Sequence, residues 1–97
     1  MSGADPAETV FGVSPVWVVI GTSSGVSREV IMTVYPRHKA FYDELVATGD
    51  VIEAGPFADR GNLALFRTEA CARRFATEDP FLLEGMVASY SVHEWMV

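Results

Sequence analysis

The sequence predicts an α+β domain of the split-βαβ, ferredoxin-like kind, an antiparallel sheet with both helices on one face, and three observations predict it. Short runs rich in β-branched and aromatic residues recur along the chain. Two stretches with apolar groups every three or four residues separate them. The resulting order is β, α, β, β, α, β, the connection that places two helices on the same side of a four-stranded sheet.

Strand one is Val16-Trp17-Val18-Val19-Ile20, introduced by Pro15 and closed by Gly21-Thr22-Ser23-Ser24-Gly25. Its unbroken apolar character reads as a strand buried on both faces. Val26 to Tyr35 is open to two readings. Val30, Ile31 and Val34 have helical spacing, but the β-branched content and the following Pro36 argue against a helix, so the stretch is taken as a helix entrance. Helix one is expected from Pro36, which suits a first turn, to Ala47 before Gly49. His38, Phe41, Tyr42 and Leu45 then share the inward face, and Arg37, Lys39, Asp43 and Glu44 face water.

Val51 to Ala54 reads as strand two, ended by Gly55-Pro56, and Leu63 to Phe66 as strand three, with a turn of Asp59-Arg60-Gly61-Asn62 between them. Thr68 is placed to cap helix two, whose apolar stripe is Ala72, Phe75 and Ala76. That helix must end at Asp79, because Pro80 lacks an N–H and biases the residue before it away from helical geometry. A short turn or one-turn helix from Phe81 to Met86 leads into a final alternating strand, Val87 to Trp95. Helices on one side leave the other sheet face bare; of Trp17, Phe66, Tyr90 and Trp95 some are expected on that face, and the remedy is a second subunit, hence a homodimer.

The chain has 97 residues, 49% of them hydrophobic, which suits one domain with one core. Residues 1–14 lack a signal-peptide pattern and read as a mobile arm, with the folded domain at 15–97. A net charge of −6 with seven Lys and Arg argues against a nucleic acid or an anionic membrane as partner, since both need clustered cations. No apolar run reaches the roughly 20 residues of a membrane helix. The single cysteine, Cys71, excludes an internal disulfide and fits a cytoplasmic protein, and no metal-ligand spacing is present. Gly21-Thr22-Ser23-Ser24-Gly25 lacks the Lys-Ser/Thr ending of a phosphate loop.

The chemistry-bearing residues are His38, on the inward face of helix one, and Asp79, at the corner that ends helix two. A histidine with a carboxylate partner is fixed in tautomer, so its other ring nitrogen is available to take or give a proton. The competing reading is a core histidine tied to Asp79 as a structural link. Tyr42, one helical turn from His38, ranks first among the tyrosines as a group to orient a substrate hydroxyl; Tyr35 and Tyr90 follow, with packing as their simpler use. Arg28, Arg37 and Arg60 carry forks that match an anionic substituent, though each also suits a solvated surface. Glu53 as a second carboxylate and His93 as a second titrating group are weaker candidates.

Pro36-Arg37-His38, Ala54-Gly55-Pro56, Glu78-Asp79-Pro80-Phe81 and the terminal Trp95 together resemble the YCII-related (YciI-like) domains of the dimeric α+β barrel superfamily, over roughly residues 15–97. The resemblance implies two sheets packed as a barrel across a dimer and a pocket between sheet and helices in each subunit. It implies His38 and Asp79 as the active pair, with Gly55, Pro56 and Phe81 in its structural signature and Phe81 beside the substrate. In this chain Tyr35 stands where the family often has an arginine before the proline of that helix, and the arginine, Arg37, follows the proline. The function expected is a cofactor-independent lyase or isomerase acting on a small cyclic or aromatic-derived molecule. A non-catalytic small-molecule-binding domain and a cofactor-free monooxygenase are the alternatives.

Overall fold

The computed structural model describes residues 15–96, so the arm expected at residues 1–14 lies outside the described residues. Seven elements follow in order: β1 (Val16–Ser23), α1 (Arg28–Ala47), β2 (Val51–Pro56), β3 (Asn62–Phe66), α2 (Glu69–Glu78), α3 (Pro80–Leu83) and β4 (Val87–Trp95). The strands form one antiparallel sheet in the order β2-β3-β1-β4. This is the ferredoxin-like arrangement expected from the element order, with the two long helices on one face.

Strand one runs three residues beyond its expected end, through Gly21, Thr22 and Ser23, and it is not buried on both faces. The expectation failed because a continuous apolar run cannot show which face the helices cover. Val19 is fully buried beneath the helices, whereas Ile20, pointing the other way, is 37% exposed. The register sets Leu65, Val18 and His93 side by side across β3, β1 and β4, followed by Leu63, Ile20 and Ser91. These residues occupy the face opposite the helices, since successive side chains alternate.

Helix α1 is a single 20-residue helix that begins at Arg28 and carries Pro36 in its interior, in place of the expected helix starting at Pro36. Ser27 starts it by accepting a hydrogen bond from the Val30 N–H at 3.3 Å. Pro36 removes one backbone donor but leaves the remaining ladder able to continue on both sides. The burial of Val34 together with Phe41 and Leu45 extends the inward stripe across the proline. Helix α2 begins as its sequence requires, with the Thr68 hydroxyl accepting from the Cys71 N–H at 3.2 Å.

The core lies between helices and sheet. Val19, Ala64 and Phe66 of the sheet meet Phe41 and Leu45 of α1 and Cys71, Ala72, Phe75 and Ala76 of α2. Phe75 is the hub of this layer, with ring centroids 5.3 Å from Phe66 and 5.1 Å from Tyr90. Among the described residues, no helix is long and apolar enough to cross a membrane.

Candidate active site

The site is built where α1, the α2–α3 corner and β4 converge. Asp79 ends α2 and immediately caps α3: its backbone is extended (φ −60°, ψ 125°), and its Oδ1 accepts from the Phe81 N–H at 3.1 Å. Pro80 enforces both roles, because it stops one helix and suits the first position of the next. The carboxylate is thereby aimed inward and is 0% exposed. Among the described residues it is the buried charged side chain, and no lysine or arginine pairs with it.

A buried carboxylate requires donors, because burying an unpaired charge costs several kcal/mol. Besides Phe81, two side chains supply them. The Nδ1 of His38 lies 2.7 Å from Oδ1, and the Tyr90 hydroxyl donates to Oδ2 at 2.5 Å. An ionised carboxylate only accepts, so the Nδ1 of His38 carries the hydrogen of this bond, and in the neutral form of the ring Nε2 is the acceptor. The His38 side chain is 18% exposed and lines the adjoining cavity.

Aromatic rings fix the imidazole plane. Phe81 stacks on it with centroids 3.9 Å apart and planes at 9°, and Phe75 meets it edge-on at 6.4 Å. Tyr35 and Tyr42, one turn before and one turn after His38 on α1, stand with their centroids at 6.1 and 6.4 Å. The helix spacing thus places three rings of α1 along one wall.

That wall bounds a cavity of about 510 Å³ on the helix side of the sheet. Its lining includes His38, Tyr42, Asn62, Phe75, Phe81 and Met86. Lys39 and Asp43 also reach it, but they are paired with each other at 2.8 Å on successive turns of α1. The volume suits a small molecule of ring size. Burial raises the Tyr42 hydroxyl above its usual range, reinforced by the negative charges of Glu53 and Asp43. Tyr90 is pushed far above that range, first by burial and then by the Asp79 charge and hydrogen bond. Both phenols therefore stay protonated donors at neutral pH.

Of the residues singled out in the sequence, His38, Asp79, Tyr42 and Phe81 come together here. Arg37 does not: its guanidinium pairs with Glu84 at the surface, and it does not line the cavity. Glu53 lies on β2 beside a shallow depression with Leu63 and Leu65. His93 is exposed on β4, its Nε2 3.0 Å from the Ser91 hydroxyl. Cys71 is buried in α2, and burial raises its thiol above the ordinary value, leaving it a packing residue. Among the described residues, no group of three His, Cys, Asp or Glu side chains gathers as a metal site.

Sequence spacing ranks Tyr90 below Tyr42, yet it is the tyrosine that touches the Asp79 carboxylate. The sequence marks Asn62 only as a turn residue, yet it opens β3 and its Nδ2 donates to the Tyr90 hydroxyl at 3.4 Å. The available signal was faint: Tyr90 is a lone aromatic among small and polar residues in Ala88-Ser89-Tyr90-Ser91.

The fold and site define an α+β protein of ferredoxin-like topology with a histidine and a buried aspartate at the edge of a cavity. No family model matches the chain, and no curated protein matches it. Among solved structures, the fold is similar to that of 5-chloro-2-hydroxyhydroquinone dehydrochlorinase from Burkholderia phenoliruptrix, solved in complex with 2,5-dihydroxybenzoquinone. The two share 22% sequence identity over 82% of this chain and 92% of that one, with a TM-score of 0.68.

Proposed function

We propose that this chain is a cofactor-independent enzyme of the lyase or isomerase type, in which His38 moves a proton and Asp79 orients it. The observation that carries the reading is the 2.7 Å contact between the His38 Nδ1 and a wholly buried carboxylate, on a ring that lines a cavity. Asp79 holds the hydrogen on Nδ1, so Nε2 is the atom that takes a proton from a bound substrate. The imidazolium formed is stabilised by the same carboxylate, and the ring then returns the proton to product or water. In an elimination, the electron pair released by proton removal forms the new double bond as the leaving group departs with its own pair. In an isomerisation, the proton is returned to a different atom of the same molecule.

The substrate class is a small cyclic or aromatic-derived molecule. Its support is the cavity volume, the rings of Tyr35, Tyr42, Phe75 and Phe81, and the similar dehydrochlorinase, whose ligand is a benzoquinone. Tyr42 is a protonated phenol within the lining and serves to orient a substrate oxygen. Phe81 holds the imidazole face-on and borders the substrate. Arg37 has no part in this reading, since Glu84 occupies it. Membership of the YCII-related domains and a homodimer with an α+β barrel across its interface belong to the same proposal. Val18, Ile20, Leu63 and Leu65 form the apolar face that the second copy would cover.

The test is a screen of chlorinated hydroxyquinones and ring lactones, read by chloride release or absorbance. His38→Ala is expected to reduce turnover of any active compound by about 10²-fold or more, in line with the usual contribution of positioned proton transfer, with its circular dichroism unchanged. Turnover retained by a folded His38→Ala would remove His38 from catalysis. Ligand binding without turnover in either protein would make the domain a binding module.

A further inference from the structure

The pairing of His38 with Asp79 uses one carboxylate oxygen, and the other is taken by a residue that plays no part in the reading so far. Oδ2 receives the Tyr90 hydroxyl at 2.5 Å, and that hydroxyl in turn accepts from Asn62 Nδ2 at 3.4 Å. A continuous chain of hydrogen bonds thus runs Asn62, Tyr90, Asp79, His38, from β3 across β4 to the α2–α3 corner and onto α1.

We propose that Tyr90 is a positioning residue that sets how strongly Asp79 draws the His38 proton, with Asn62 fixing the Tyr90 hydroxyl. This deepens the proposed proton-transfer function and rests on it. A donor on Oδ2 withdraws charge from the carboxylate, so less of that charge stabilises a proton on the imidazole. Tyr90 therefore keeps His38 less basic than the histidine–aspartate pair alone would make it.

The sheet is shaped for this contact. Asn62, Gly21 and Tyr90 are direct cross-strand neighbours on the helix-covered face. Gly21 between them has no side chain, and a Cβ there would stand 2.0 Å from Asn62 Oδ1 and 2.5 Å from Tyr90 Cε1. Any other residue at position 21 would push the two side chains apart. The requirement is one of space, because Gly21 is not among the glycines with positive φ.

Other ionisable groups around His38 do not duplicate the effect. On its own helix stand Tyr35, Tyr42 and the mutually paired Lys39 and Asp43, while Arg37 is turned out to Glu84. Phe75 of α2 and Phe81 of α3 carry no charge. Glu53 of β2 acts on Tyr42. Tyr90 stays a neutral donor because burial and the Asp79 charge both oppose its ionisation.

The experiment follows the His38 ring signals by NMR against pH in wild type, Tyr90→Phe, Asn62→Ala and Asp79→Asn, and needs no substrate. Tyr90→Phe is expected to move the His38 midpoint upward by roughly half a unit to one unit, the scale of one charge-assisted hydrogen bond shared between two protonation states. Asn62→Ala is expected to move it in the same direction by less, since it weakens Tyr90 as a donor without removing it. Asp79→Asn is expected to lower it. An unchanged or lowered midpoint in Tyr90→Phe, with Asp79→Asn responding, would overturn the role of Tyr90 and leave the histidine–aspartate pair standing. No response in Asp79→Asn would sink the pair itself. Should Tyr90→Phe fail to fold, the same decision falls to Asn62→Ala, where an unshifted midpoint counts against the proposal.

Discussion

At the scale of single residues, Asp79 and Tyr90 show how the proposed proton-transfer arrangement and a stability term share the same atoms. The carboxylate is wholly buried, so it depends on its three donors from Phe81, His38 and Tyr90. Removing the Tyr90 hydroxyl at neutral pH is expected to cost about 1–3 kcal/mol, because it strips one partner from a buried charged group. A second consequence concerns alkaline pH. In the unfolded chain Tyr90 ionises near its ordinary value of about 10, whereas in the fold burial and the Asp79 charge hold the proton on to higher pH. Between those limits the folded state binds the extra proton, so stability falls as pH rises, at up to about 1.4 kcal/mol per unit. Urea unfolding of wild type between about pH 9 and pH 11 is expected to show this decline, and Tyr90→Phe a shallower one. The slope does not vanish in the variant, since burial also raises Tyr42 and Cys71. Equal slopes in the two proteins would mean that Tyr90 ionises freely in the fold.

At the scale of elements, the parts of the fold legible in the sequence are those governed by local rules. Thr68 as a cap, Asp79-Pro80 as a helix end and the alternation of β4 each depend on a few neighbouring residues, and each stands where it was expected. His38 and Asp79 were legible for the same reason, one from helical spacing and the other from the proline beside it. Local reading failed at Pro36, where the buried stripe from Val34 to Phe41 outweighs the lost backbone bond, and at β1, where only the helices decide which face is covered. It also failed for partners distant in sequence. Arg37 meets Glu84 47 residues away, and Tyr90 reaches Asp79 only through the register of β4 against β1. The capping rule gives its own test. Thr68→Ala is expected to lower stability by about 1 kcal/mol, with the denaturant midpoint falling at constant slope. The Asp79 corner lies at the opposite end of α2, so the His38 titration should not move. A shift there would show that the helix transmits fraying along its length.

At the scale of the whole molecule, the sheet separates two surfaces with different consequences. One face carries the core and the cavity; the other carries Val18, Ile20, Leu63 and Leu65 in adjacent strands, and among the described residues no helix lies over them. Ile20 is 37% exposed at the centre of this face. Apolar groups in a contiguous array are stabilised by transfer from water, on the order of 25 cal/mol per Å² buried, and in the proposed dimer a second copy related by a twofold axis would supply a matching array. Light scattering is expected to return about 21 kDa, twice the 10.6 kDa of one chain. Ile20→Glu is expected to give the single-chain mass, because facing carboxylates at a twofold interface repel and lose hydration together. If wild type itself scattered at 10.6 kDa, the dimer and the barrel would fall. The histidine–aspartate pair would survive that result, since His38, Asp79 and Tyr90 draw every contact described from the helix side of the same chain. A monomeric Ile20→Glu whose His38 still titrates as in wild type would show that the histidine–aspartate pair is built within one subunit. Loss of the titration on dissociation would instead tie the site to the partner's presence.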